Sequence, residues 1–178
     1  MASYYNRQAA VQYARNWWKG RNPNYPSFQD DCTNFISQCL RAGGAPMSGY
    51  PNRARGWWIT DGWKSGRGTG GYYSNETWSY SWTVSSSLRW YLESAKSGLT
   101  AKRVQSPSEL NIGDVIFYDF QGDGRIDHST IVTSIVNGVP YIHAHTVNSQ
   151  DRHYDYSNSH AYTPNTKYYF FKIDDVFN

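Results

Sequence analysis

Between residues 5 and 18 the apolar positions Ala9, Ala10, Tyr13, Ala14, Trp17 and Trp18 recur every three to four residues, the spacing that lines one face of a helix. Lys19-Gly20 closes that stretch, and Asn22-Pro23-Asn24-Tyr25-Pro26 reads as a turn-rich connection. A second helix is predicted to open at Cys32, with Asp30 or Asp31 capping its free backbone amides. Phe35, Ile36, Cys39 and Leu40 supply its buried side, Ser37 and Gln38 continue it, and Gly43-Gly44 ends it. A third helix is predicted over 83–96, where Val84, Leu88, Tyr91, Leu92 and Ala95 share one face before Gly98. From there the period changes to two. Val115-Ile116-Phe117-Tyr118 reads as a short strand, 128–135 and 139–146 as a hairpin about Asn137-Gly138, and 166–173 as a last strand.

Helices first and an antiparallel sheet afterwards describe an α+β domain over 1–178, with the helix bearing Cys32 packed on the sheet bearing His128. The two-residue turn pairs Val136 with Val139, which sets His128 opposite Val147. His143 and His145 then share the face of His128, with His145 as its diagonal neighbour. A bulge would shift that register by one residue and bring Asn148 onto the face instead. Residues 43–76 are rich in Gly, Ser, Tyr and Trp and show no period. A loop of that length inside one domain is usually functional or disordered, and its aromatics favour an ordered lobe beside a groove.

Composition narrows the partners. A chain of 178 residues suits one domain that buries roughly 70% of the surface its unfolded form exposes. Of the 39% hydrophobic residues, 16 Tyr, 8 Trp and 7 Phe are rings, many with polar edges suited to wet, sugar-stacking grooves. A net charge of +3 without a basic stripe gives no reason to expect nucleic acid. No run approaches the roughly 18 apolar residues of a membrane span, and Met1-Ala2-Ser3-Tyr4-Tyr5 lacks the pattern of a signal peptide. We therefore expect a monomer with no membrane contact, either an extracellular domain whose export signal was removed or a phage protein released by other means. Cys32 and Cys39 on one helix would stand about 10.5 Å apart, too far for a disulfide, so two free thiols are expected.

Cys32 is placed where a thiol becomes a nucleophile. At the first turn of a helix, with a histidine to help, its pKa would fall from about 8.5 into the range of roughly 3.5 to 7.5. Cys39, deeper in the same helix, reads as a core residue. His128, at the start of a strand far downstream, is the candidate base, and His145 the group that would fix its tautomer, with Asn148 as the alternative. His143 reads as structural, and the lack of zinc-type Cys spacing argues against a zinc hydrolase. The run from Asp119 to Asp127 resembles the front of an EF-hand loop, with Asp119, Asp123 and Asp127 as candidate ligands of a structural calcium. Gln121 stands at position three and Thr130 where a bidentate Glu is needed, and the competing reading is a tight Asp/Gly turn that aims His128.

Taken together, Ala9-Ala10-Val11-Gln12-Tyr13-Ala14, Asp31-Cys32-Thr33-Asn34-Phe35-Ile36-Ser37-Gln38, Gly113-Asp114-Val115 and Asp123-Gly124 through Asp127-His128 resemble the putative amidase domain family of bacterial cell-wall hydrolases, related to the CHAP and NlpC-type branches of the papain-like fold. The resemblance covers almost the whole chain, and the Cys segment is its specific part. It implies a papain-like cysteine hydrolase that cuts an amide in peptidoglycan through a thioester, with Cys32 as nucleophile, His128 as base, His145 as third polar group and no cofactor required. Val147 interrupts what usually continues with an Asn or Asp. The oxyanion would face the Cys32 backbone amide, completed by Asp31, Gln29 or Tyr25. Trp57, Trp58, Tyr72 and Tyr73 would form substrate subsites. The first expectation is an N-acetylmuramoyl-L-alanine amidase and the second a peptidoglycan endopeptidase. A non-catalytic wall-binding module is the reading from another class.

Overall fold

The alanine and aromatic stripe near the N-terminus folds as α1 (Arg7–Trp17), capped by Asn6, whose side chain accepts the amide of Ala9. The structure is a computed structural model that describes residues 3–62 and 77–178. α2 (Cys32–Ala42) follows, and every residue from Cys32 to Leu40 is buried. A helix buried all round must satisfy its polar side chains internally, and α2 does so by tying its neighbours together. Asn34 donates to the carbonyl of Pro26 (2.8 Å) and accepts the indole N–H of Trp82 (3.0 Å). Ser37 donates to the carbonyl of Trp82 (2.9 Å) and accepts the indole N–H of Trp57 (3.0 Å). The Tyr13 hydroxyl of α1 donates to Gln38.

The helix expected over 83–96 is two helices, α3 (Tyr80–Thr83) and α4 (Ser85–Ser94). Val84 is extended between them (φ −115°, ψ 123°), which turns the chain so that the Ser85 hydroxyl, at the start of α4, meets the start of α2. The apolar period continued across the break because both pieces pack on the same core, through Trp82, Leu88 and Leu92.

Six antiparallel strands follow: β2 (Ala101–Val104), β3 (Val115–Asp119), β4 (His128–Val136), β5 (Val139–Ala144), β6 (Ser149–His153) and β7 (Lys167–Ile173). Their spatial order is β2-β7-β3-β4-β5-β6. A small separate ribbon pairs β1 (Ser3–Tyr4) with β8 (Val176–Phe177). The sheet is covered on both faces. On one, Val115, Phe117, Ile131 and Phe171 meet Phe35 and Ile36 of α2. On the other, Ile116, Tyr118, Val132 and Ile142 lie under Phe120 and Tyr156. The fold is thus α+β, with helices packed on an antiparallel sheet.

The Asn137-Gly138 hairpin forms as expected, with φ of 52° and 80°, the positive pair of a type I′ turn. Val136 pairs with Val139 and Ser134 with Tyr141, but a bulge then shifts the ladder so that Val132 pairs with Ile142 and Ile131 with His143. The shift reverses the expected arrangement. His143 now shares the face of Ile131, towards α2, while His128 belongs to the face of Thr130 and Val132.

Gly113-Asp114 is an anchor. The Asp114 carboxylate, fully buried, accepts from Arg7 Nη1 (2.7 Å) and from the amides of Asn111 (2.7 Å) and Ile173 (2.9 Å), joining α1 to the sheet. Gly113 has φ of 83° and presses on the Tyr5 ring, where a Cβ would come within 3.0 Å of the hydroxyl oxygen. Both cysteines are free, and among the described residues no helix is long and apolar enough to cross a membrane.

Candidate active site

Three elements converge on the Cys32 sulfur. It lies 3.6 Å from the Asp30 carboxylate, 3.6 Å from the Ser85 hydroxyl and 3.8 Å from that of Thr33. The Thr33 and Ser85 oxygens are 2.5 Å apart, and the Ser129 hydroxyl of β4 lies 3.2 Å from Thr33. Only 4% of Cys32 is exposed. Burial pushes the thiol pKa up and the Asp30 carboxylate adds to it, against the opposing pull of the Ser85, Thr33 and Ser129 hydroxyls. In place of the lowered pKa expected from the helix N-terminus, burial of the sulfur raises it. The thiol rests protonated.

His128 sits one residue before Ser129 and on the other face of β4. Its Nε2 lies 2.8 Å from the Tyr156 hydroxyl, and the rings of Tyr118 and Phe120 flank it at 5.6 and 6.4 Å. Burial, with Arg152 nearby, lowers its pKa to about 3, so the imidazole is neutral. No hydrogen bond joins it to Cys32 among the described residues. Instead Tyr156 stands as its partner, from the coil after β6, with a backbone φ of 60° that a bulky residue rarely adopts. The Arg152 guanidinium lies 4.0 Å over the Tyr156 ring. Burial raises the Tyr156 phenol, and the Cys32 sulfur is among the groups that raise it further. A cavity of about 290 Å³ opens here, lined by His128, Tyr156, Arg152, Phe120 and Thr146.

The third polar group expected from sequence is elsewhere. His145 Nδ1 lies 2.7 Å from the Asp31 carboxylate and Nε2 2.6 Å from the carbonyl of Trp17, with the ring stacked on Phe35 at 4.0 Å. The Asp31 carboxylate also accepts from the Phe28 amide and from Asn34 Nδ2, each at 3.0 Å. Its own amide donates to the Thr146 hydroxyl at 3.0 Å. Asp31 occupies the N-cap position without a side-chain cap bond, because its oxygens serve this network. His145 is thus a clamp on the residue before Cys32 and does not orient His128. Asn148 does not either: β5 ends at Ala144, and exposed Asn148 donates to the carbonyl of Lys19 at 3.4 Å. His143 Nδ1 pairs with the Thr133 hydroxyl at 2.7 Å, while its buried Nε2 has no hydrogen-bond partner.

A family model described as "Putative amidase domain" matches residues 4–174. The chain belongs to that family. Over 98% of its length this amidase domain is 50% identical to "Uncharacterized protein YhbB" of Bacillus subtilis (strain 168), covering 52% of that protein. Over 81% it is 32% identical to "Uncharacterized protein YjcM" of the same strain, covering 31% of that protein. The chain thus spans about half the length of the first relative and less of the second. No solved structure matches it.

The remaining sequence candidates of the amidase domain are distributed as follows. Tyr25 stacks on Trp82 at 6.0 Å and Gln29 is exposed, its carbonyl 3.5 Å from the Thr146 hydroxyl; neither contacts the thiol. Trp57 and Trp58 are 0% and 1% exposed, so they are core and not open subsites; their indoles bond Ser37 and the Asn52 carbonyl. Tyr72 and Tyr73 lie outside the described residues. Asp119 accepts from the amides of Gly122 (2.9 Å), Asp123 (3.2 Å) and Gly124 (2.7 Å). Asp127 accepts from the Phe120 amide (2.8 Å), and Asp123 from that of Arg125 (2.9 Å). These carboxylates hold the turn that leads into His128, and among the described residues no cluster of three or more His, Cys, Asp or Glu is arranged to hold a metal ion. Tyr156 escaped the sequence reading because it follows β6 in an aperiodic stretch, and nothing local marks one tyrosine among sixteen.

Proposed function

We propose that the domain hydrolyses an amide of peptidoglycan, with Cys32 as nucleophile and His128 as base, at the bond between the lactyl group of muramic acid and L-alanine. The observation that carries this reading is a sulfur at the first position of a buried helix, near enough to the Tyr156 phenol to raise its pKa, with Tyr156 in turn 2.8 Å from His128 Nε2. The substrate class, and with it a location at a bacterial wall, is supported by the family resemblance of the Cys32 segment.

With thiol and imidazole both uncharged at rest, proton transfer accompanies attack and does not precede it. The Cys32 proton passes to His128 as sulfur bonds to the carbonyl carbon. The oxyanion faces the amides of the first turn of α2, which have no intrahelical acceptor. The C–N bond then breaks, the imidazolium gives its proton to the departing amine, and a thioester remains. Water attacks it, yields a proton to His128, and the acid and thiol are released. Tyr156 holds Nε2 and leaves Nδ1 as the nitrogen that takes these protons.

Digestion of purified sacculi followed by mass spectrometry tests the bond. New N-terminal L-alanine is expected. New termini within the stem peptide or cross-bridge would make the domain an endopeptidase, and binding without soluble products would make it a wall-binding module.

A further inference from the structure

On the side of α4 away from the core, a cleft of about 700 Å³ runs between the 53–56 segment and the helix face formed by Ser87, Trp90, Tyr91 and Ser94. Its chemistry is one-sided. Among the described residues it is lined by two arginines, Arg53 and Arg55, and by no Asp or Glu. Arg53 is fixed in place: Nε donates to the carbonyl of Trp78 at 2.8 Å, and the guanidinium lies 4.8 Å from the Tyr80 ring centre and 5.8 Å from that of Trp78. Its terminal nitrogens have no hydrogen-bond or ion-pair partner, and Arg55 has none for its side chain, among the described residues. A planar, pre-positioned guanidinium with free N–H groups is suited to a carboxylate.

Beside the arginines stand two aromatic side chains that folding has left open, Trp90 at 58% and Tyr80 at 47% exposed. Trp90 is braced. The Arg89 guanidinium, itself bonded to Glu93 at 3.1 Å, lies 4.0 Å from its ring centre and fixes the indole as a platform. An exposed, braced indole is suited to the C–H face of a sugar ring. The cleft also belongs to the same helix as the nucleophile's neighbour. Ser85, 3.6 Å from the Cys32 sulfur, begins α4, and Ser87 two positions on already lines the cleft.

We propose that this cleft is a substrate subsite for an acidic glycopeptide, with Trp90 stacking on a sugar and the Arg53/Arg55 pair taking a carboxylate of the attached peptide. The proposal rests on the peptidoglycan reading above for the polymer it names, and extends it by assigning where the uncleaved part is held.

Isothermal titration of the full chain carrying Cys32→Ser, which allows binding without turnover, decides it with two probes, muramyl dipeptide (sugar plus carboxylate) and fully N-acetylated chitotetraose (neutral sugar). Arg53→Ala/Arg55→Ala is expected to weaken muramyl dipeptide about tenfold and leave chitotetraose unchanged. Trp90→Ala, on an exposed helix position where alanine suits the fold, is expected to weaken both about fivefold or more. Binding of muramyl dipeptide within about twofold of the parent in both variants, or none by the parent at about 10 mM, overturns the subsite. The two readings fail separately. If sacculus turnover needs Cys32 but the cleft variants bind as the parent does, only the subsite falls. If cleft-dependent binding is found but Cys32→Ser still turns over sacculi, only the hydrolytic reading falls.

Discussion

His128 and His145 stand near one end of the sheet, both buried, and their surroundings give the same side chain two different tasks. His145, on the side of α2, is held at both nitrogens by Asp31 and the Trp17 carbonyl, with no nitrogen left to exchange a proton. His128, on the opposite face, has one nitrogen on the Tyr156 hydroxyl and a cavity beside it. A ring between two fixed acceptors is a structural clamp, whereas a neutral ring with one uncommitted nitrogen can serve as a base. The contrast separates roles that the spacing of histidines in the sequence had merged.

Replacing each ring breaks the comparison in a different way. The largest effect is expected for His128→Gln, which should lower the rate of sacculus hydrolysis by about 10³-fold, within the range for loss of a general base. Its neutral-pH melting temperature should stay near wild type. Soluble muropeptide release and thermal melting on the same preparation check both. His145→Ala should do the reverse. It removes one donor from the buried Asp31 carboxylate, which keeps the Phe28 amide, Asn34 and Arg21, at a cost of about 1–3 kcal/mol in urea unfolding, and activity falls only with the folded fraction. His145→Gln, which can still donate to Asp31, should lose less.

The acid limb sharpens the contrast. Because folding lowers the His128 pKa from 6.5 to about 3, the unfolded chain binds the extra proton between those values. The stability of the neutral ring is complete above pH 6.5 and is lost as pH falls towards 3, by a few kcal/mol. His143, lowered to about 4 by burial, acts in the same direction. Urea unfolding at pH 7 and pH 4.5 should therefore show a smaller acid loss in His128→Gln than in wild type, though not its disappearance. The smallest effect is expected for Tyr156→Phe, which keeps the ring packing and removes the bond to Nε2. A fall in kcat of about tenfold with KM unchanged matches the loss of one hydrogen bond of about 1 kcal/mol. No change in kcat would mean that Tyr156 packs without orienting.

The sequence carried the elements better than the contacts between them. α1, α2 and the Asn137-Gly138 hairpin follow from periods and turn chemistry that act within a few residues. The six-residue neighbourhood of Cys32 could likewise be read as a helix start. The face of His128 could not, because it depends on the bulge between Val132 and Ser134, a tertiary feature without a residue signature in this hairpin. Trp57 and Trp58 looked like groove residues because tryptophans in an aperiodic run resemble a binding surface. They are core because their rings are buried and their indoles are satisfied by Ser37 and the Asn52 carbonyl. Desolvation of the thiol was equally hidden: Ser85 and Ser129 close over Cys32 from positions 53 and 97 residues downstream. The short strands β2, β6 and β8 follow from pairing partners more than from any alternation of their own.

The most direct measurement is the amount of new N-terminal L-alanine released from purified sacculi by the wild-type chain and by Cys32→Ser at equal folded concentration. The account predicts steady release by the first and background alone from the second. Equal release by both would contradict it, since the Cys32 thiol would then not be needed for the attack.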